Sequence, residues 1–250
     1  MAFYRAWYTP NNAVIVISGD VTAADVKPMV QRHFGALPSR DLPTRPDWKE
    51  PPRSADRMVS LSHPRVRQPS WSRRFLAPSH GQGGEKRQIH ALEVLTEILS
   101  GGTTGRFYRQ LVVEKGLAAH AGAWYSGDNR GPGVFGFYGS PRPGHTLDEI
   151  EAAIEAEIEK LLADGVTETE VRTAIERMQA EAIFARDSLG GPPRILGNAL
   201  MTGQTLADVE AWPDRIGQVT KADIEAAARA VLNGSGAVTT RLSQKLEEKS

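Results

Sequence analysis

Residues 101–122 read GGTTGRFYRQLVVEKGLAAHAG. Glycines open the stretch, a helix-like run fills it, and Gly116 closes that run. If the loop cradles a phosphate, the chain is a parallel α/β nucleotide binder. If it is a turn between packed elements, the fold is of another class. A phosphate loop follows a strand, carries Gly-x4-Gly-Lys-Ser/Thr and opens a helix, so that backbone N–H groups and the lysine surround the anion. Here a helical pattern precedes the loop, with Ile89, Leu92, Leu95 and Leu99 on one side of residues 85–100. Arg106 stands where Lys is needed and Phe107 where Ser or Thr is needed. The stretch reads as a helix–turn–helix connection with Thr103 or Thr104 as the N-cap, and nucleotide binding is rejected.

Outward from this turn, strands come in groups and helices in runs. Met58–Ser62 and Trp71–Ala77 read as strands, and Ala121–Ser126 with Val134–Gly139 as a hairpin across Gly127–Gly131. Thr146 with Glu149 and Thr167 with Glu170 are capping boxes that start two helices. The first carries Leu147, Ile150, Ile154, Ile158 and Leu161 on one stripe. The second carries Val171, Ile175, Met178 and Ala182. Weaker helical patterns follow at 192–202, 206–216 and 220–232, and a last strand at Ala237–Arg241. The pattern is α+β, a mostly antiparallel sheet with helices packed on one face.

Ahead of this domain, residues 3–8 read as the end of a helix broken at Thr9-Pro10-Asn11-Asn12. Val14–Ile17 then reads as a buried strand and residues 22–34 as a helix stopped by Gly35. Residues 38–56 hold Pro38, Pro43, Pro46, Pro51 and Pro52 among mixed charges, a linker by composition. There is an internal echo. Arg5-Ala6 precedes Ala13-Val14 at the same spacing as Arg229-Ala230 precedes Ala237-Val238, each pair reading as helix end, turn and strand. The echo makes residues 1–37 the tail of a first copy and 57–250 a whole second copy. The chain starts inside an element, as a processed fragment would.

Composition narrows the function. Lys plus Arg and Asp plus Glu are both 30, so there is no electrostatic case for nucleic acid or an anionic membrane. No apolar run approaches the ~20 residues of a bilayer span. Cys is 0, which removes disulfides, thiolate metal sites and a cysteine nucleophile. His90-Ala91-Leu92-Glu93-Val94 has half of the His-x-x-Glu-His pattern with which zinc hydrolases place two ligands on one helix face. Val94 stands where the second histidine is needed, so His90 is expected as a solvated histidine on a helix flank. His33, His63, His80, His120 and His145 show no ligand spacing. The acidic run Glu149, Glu151, Glu155, Glu157, Glu159 is expected as a solvated helix face. No complete catalytic set is visible in these residues.

The stretch Phe3–Asp20, FYRAWYTPNNAVIVISGD, resembles the end of the first domain of insulinase/pitrilysin-type zinc peptidases, relatives of the mitochondrial processing peptidase. LTEILSGG at 95–102 with Arg106-Phe107, EKGLA at 114–118, and DGVT at 164–167 with Glu170 are similar to the second domain of the same family. The resemblance implies two similar domains, with zinc bound by His-x-x-Glu-His and a later Glu in the first. It therefore implies no metal or cofactor in this chain, and zinc in a first domain that lies ahead of it. Active second domains supply an Arg and a Tyr across the substrate from zinc, and the matching positions here are Val112 and Ala119. Neither side chain donates a hydrogen bond, so the resemblance implies an inactive second domain. Its parent would act on peptide or unfolded-protein substrates and pair with a sister subunit that carries the Arg and Tyr. An assembly homologue with no activity at full length stays open as the alternative. The compartment also stays open, with the bacterial periplasm favoured over the cytoplasm.

Overall fold

The computed structural model describes residues 1–45, 51, 54–233 and 236–245. The linker expected at 38–56 is thus described only in part, since 46–50, 52 and 53 lie outside the described residues.

The main domain is built on one five-stranded sheet. Its strands are β1 (Arg57–His63), β2 (Ser70–Ala77), β3 (Ala118–Ser126), β4 (Gly133–Pro141) and β5 (Val238–Gln244). They lie in the order β1-β5-β2-β4-β3, and every pairing is antiparallel except β1 with β5. The last strand inserts between the first two, so the sheet closes only when the end of the chain arrives. Period-two alternation sets the faces. Trp71, Phe75 and Ala77 of β2 and Phe135 and Phe137 of β4 turn inward and are buried, while Arg74 and Tyr138 turn outward. Phe137 sits at the centre of edge-on aromatic contacts with Phe75, Phe107 and Phe135, at centroid distances of 6.2, 5.6 and 5.4 Å.

Helices cover that inner face. They are α3 (Lys86–Ser100), α4 (Leu147–Asp164), α5 (Glu168–Ala185), α6 (Gly191–Met201), α7 (Leu206–Glu210), α8 (Trp212–Gly217) and α9 (Lys221–Leu232). α3 packs on β3 and α9, α4 on β4 and β2, and α9 on β2. α3 is buried well beyond one stripe, with His90, Ala91, Val94 and Ile98 inside along with Ile89, Leu92, Leu95 and Leu99. Capping boxes start α4, α5, α7 and α9, each satisfying backbone groups that a helix end leaves free. The helix expected over 206–216 is two short helices. Pro213 lies in the first turn of α8, where its missing N–H costs nothing but where a continuous helix would lose a bond.

The first segment holds α1 (Ala2–Trp7) and α2 (Ala23–Phe34), neither of which buries a residue. Val14–Ile17 is not a strand, contrary to expectation, and Val14, Ile15 and Ile17 are exposed. A strand exists only through its partners, and no neighbour hydrogen-bonds to this stretch among the described residues. Local hydrogen bonds hold the turn instead. Asn12 Nδ2 donates to the Trp7 carbonyl at 2.8 Å, and Arg40 Nη1 donates to the Arg5 carbonyl at 2.8 Å. The two arms of the sequence echo differ in form, since α9 leads into the strand β5 whereas α1 leads into a short turn at Pro10–Asn12 and no strand.

Candidate functional site

The turn after α3 is fixed by side chains, and none of them is left to meet an anion. Gly101 has no room for a Cβ, which would lie 2.4 Å from the Glu97 carbonyl oxygen, and Gly102 has φ of +60°. Arg177 of α5 reaches across to Glu97 Oε1 at 2.6 Å, and its Nη1 donates to Thr104 Oγ1 at 2.9 Å. Thr104 does not cap the next helix as expected. Its hydroxyl donates back to the Gly101 carbonyl at 3.1 Å. Arg106, at the position a phosphate loop would give to lysine, forks onto Glu170 through Nε at 2.5 Å and Nη2 at 2.7 Å. Nη2 also donates to the Gly165 carbonyl at 3.0 Å. Burial pushes the Glu170 carboxyl up, but Arg106 and the Thr167 cap outweigh it and hold the group down at about 2.

The helix that follows is π-helical over Tyr108–Glu114. Val112 lies within it, and Ala119 follows in β3. Val112 is buried in the core, 6% exposed, while Val113 beside it faces out. Gly116 then reverses the chain at φ of +64° into β3. Ala119 falls at a bulge, skipped between the pairs Ala118–Pro141 and His120–Ser140, and is exposed. Arg142 ties the two ends of this reversal together. Its Nη2 donates to the Val112 carbonyl at 2.9 Å and its Nε to the Ala118 carbonyl at 3.1 Å. Val112 and Ala119 therefore flank one turn, and neither carries a polar group into it. Arg142 was not legible beforehand, because it follows β4 and meets the turn only once β4 has paired with β3.

The histidines are arranged otherwise than expected. His90 is not solvated; it is 3% exposed on the inner side of α3. Its Nδ1 lies 3.1 Å from Glu93 Oε2, which also accepts from Trp212 Nε1 at 2.9 Å. His90 Nε2 is buried with no hydrogen-bond partner. His80, from the connection between β2 and α3, faces it at a ring-centroid distance of 5.9 Å. Only the His90–Glu93 spacing was visible in the sequence, since His80 arrives through a turn that no periodicity predicts. These residues do not fit a zinc ion. Val94 offers no donor, Glu93 is engaged by His90 and Trp212, and among the described residues no three His, Asp or Glu side chains could hold a metal. Two acids of the α4 run likewise serve the sheet. Glu151 and Glu155 pair with Arg73 of β2 at 3.9 and 2.7 Å. Among the described residues no helix is long and apolar enough to cross a membrane.

Comparison with known proteins agrees with this architecture. The family model described as the peptidase M16 inactive domain matches residues 1–178. An uncharacterized zinc protease of Streptomyces coelicolor is 26% identical over 234 residues, covering 92% of this chain and 50% of that protein. The crystal structure of a protease from Helicobacter pylori superposes with a TM-score of 0.88 at 22% identity, over 97% of this chain and 58% of that one. The peptidase M16 inactive domain from Pseudomonas fluorescens gives a TM-score of 0.73 at 17% identity, over 92% of this chain and 53% of that one. The chain spans about half the length of the relatives it matches. With residues 1–178 matched and the sheet, helices and turn all in place, the chain belongs to the peptidase M16 family, as an inactive domain of that family.

Proposed function

We propose that this chain is the non-catalytic C-terminal region of a bacterial zinc metallopeptidase. It shapes the substrate chamber for a peptide or unfolded protein and packs against a partner domain or subunit. The observation that carries this reading is the turn from Val112 to Ala119. It is ordered by Arg142 and Gly116, and it holds a buried valine and a methyl group at the two positions that the family resemblance gives to Arg and Tyr. Residues 1–37 are read as the closing unit of a preceding similar domain, followed by the linker and the second domain. The exposed aromatics of α1 and the unpaired Val14–Ile17 support this, because both are what a segment looks like without the sheet it was built for. Zinc is then held in that preceding domain, and a sister subunit supplies the Arg and Tyr. The coding sequence just upstream of Met1 tests this reading. An in-frame His-x-x-Glu-His is expected there, and a natural start at Met1 with no such motif ahead of it would overturn the proposal. A degenerate motif would favour the assembly homologue.

A further inference from the structure

One end of the main domain is held by a cluster that the proposed role does not use. The connection from β2 to α3 carries His80 in a short turn, His80–Gln82. That turn is clamped to the β3–β4 connection by backbone bonds from His80 N to the Gly127 carbonyl and from Gly81 N to the Asn129 carbonyl, both 3.0 Å. The fit is tight, since a Cβ on Gly81 would lie 2.3 Å from the Asn129 carbonyl oxygen. Ser79 Oγ donates to the Gly131 carbonyl and Tyr125 Oη to the Pro78 carbonyl, each at 2.6 Å. The β3–β4 connection in turn holds the next layer. Gln204 Nε2 donates to Asp128 Oδ1 at 2.8 Å, and Arg130 Nε donates to the Met201 carbonyl at 2.5 Å. Behind the turn stand the facing imidazoles of His80 and His90, both almost fully buried.

We propose that His80, buried against His90, is a proton-operated clamp, in which charging the His80 imidazole releases the 78–84 connection from α3 and with it the 127–132 connection. The acids around the pair already accept from other donors, and the one nearest His80, Asp128, stands 4.0 Å away. On α3, Glu93 is taken by His90 Nδ1 and Trp212 Nε1, and Lys86 lies on Asp208. On the β3–β4 connection, Asp128 stands 4.0 Å from His80 Nε2 and also accepts from Gln204. On α7, Asp208 is paired with Lys86 and with Arg215 of α8. On β3, Tyr125 donates its hydroxyl to the Pro78 carbonyl, and burial pushes its ionisation well up, so it adds no charge. A charged His80 ring in this buried space has no hydrogen-bonded anion of its own, and it would face the His90 ring at 5.9 Å.

The direction of the pH dependence follows. Burial holds His80 below its ordinary 6.5, with His90 adding to the effect and Glu93, Asp128 and Asp208 opposing it in part. The folded form thus favours the neutral ring. Its stabilisation is full above the unfolded value and is lost as pH falls below it, because the unfolded chain then binds more protons. Hydrogen exchange by mass spectrometry at about pH 7.5 and about pH 5.5, corrected for intrinsic rates, tests the clamp. Protection in peptides 78–84 and 126–133 is expected to fall by roughly tenfold per pH unit for each proton taken up, with α4 unchanged. His80→Gln is expected to flatten that response. A drop in α4 equal to that in the clamp, or protection at 78–84 that ignores pH, would overturn the proposal. So would an unaltered response in a folded His80→Gln protein. The wild-type comparison decides by itself if the variant does not fold.

Discussion

Glu170 does several jobs with one carboxylate. It completes the capping box of α5, receives the Arg106 fork, and so ties the start of α5 to the turn after α3. Both partners are more than two-thirds buried as side chains. Replacing Glu170 by Gln keeps the shape but leaves Arg106 without its anion, and is expected to cost about 2 kcal/mol in urea unfolding near neutral pH. The sign with pH is fixed. The folded value of about 2 lies below the ordinary 4.5, so the contribution is complete above 4.5 and is lost as pH falls through about 2. The difference between wild type and Glu170→Gln should therefore shrink over that window. The capping box could be read from Thr167 and Glu170 alone. The ion pair could not, because Arg106 comes from a distant part of the chain and its partner is set by packing.

At the scale of elements, the turn from the π-helix into β3 is where sequence and structure inform each other most. The EKGLA stretch located the turn and Gly116 marked its reversal, both by local chemistry. The burial of Val112 was not legible, since Leu111, Val112 and Val113 are all apolar and the run carries no polar position to mark which of them faces out. Val112→Arg is expected to lower stability by about 3 kcal/mol, because a guanidinium would enter the core without a partner. Ala119→Tyr lies at an exposed bulge and is expected to stay within about 0.5 kcal/mol of wild type. Chemical denaturation of both variants checks the pair. The reverse order would mean that Val112, not Ala119, faces solvent. The same principle explains the other surprises among the elements. Capped helices and alternating strands were readable because their signals are local. His90 was not, because α3 is enclosed by β3, α5, α8 and α9, and a helix buried on most sides carries no clean polar face.

At the scale of the molecule, one sheet and its covering helices make an inactive M16 domain, and the leading segment, which the family match at residues 1–178 includes, buries no residue in its two helices. Val14–Ile17 reads as a strand in sequence, yet among the described residues it pairs with no strand, and the proposed preceding domain would supply the partner. The central claim is that this chain contributes shape and packing to a zinc peptidase and performs no hydrolysis by itself. The most direct measurement is zinc content of the purified chain together with its cleavage of an unstructured peptide, with and without a chelator. The account predicts zinc far below one per chain and no chelator-sensitive cleavage. One zinc per chain, with cleavage that the chelator abolishes, would contradict it.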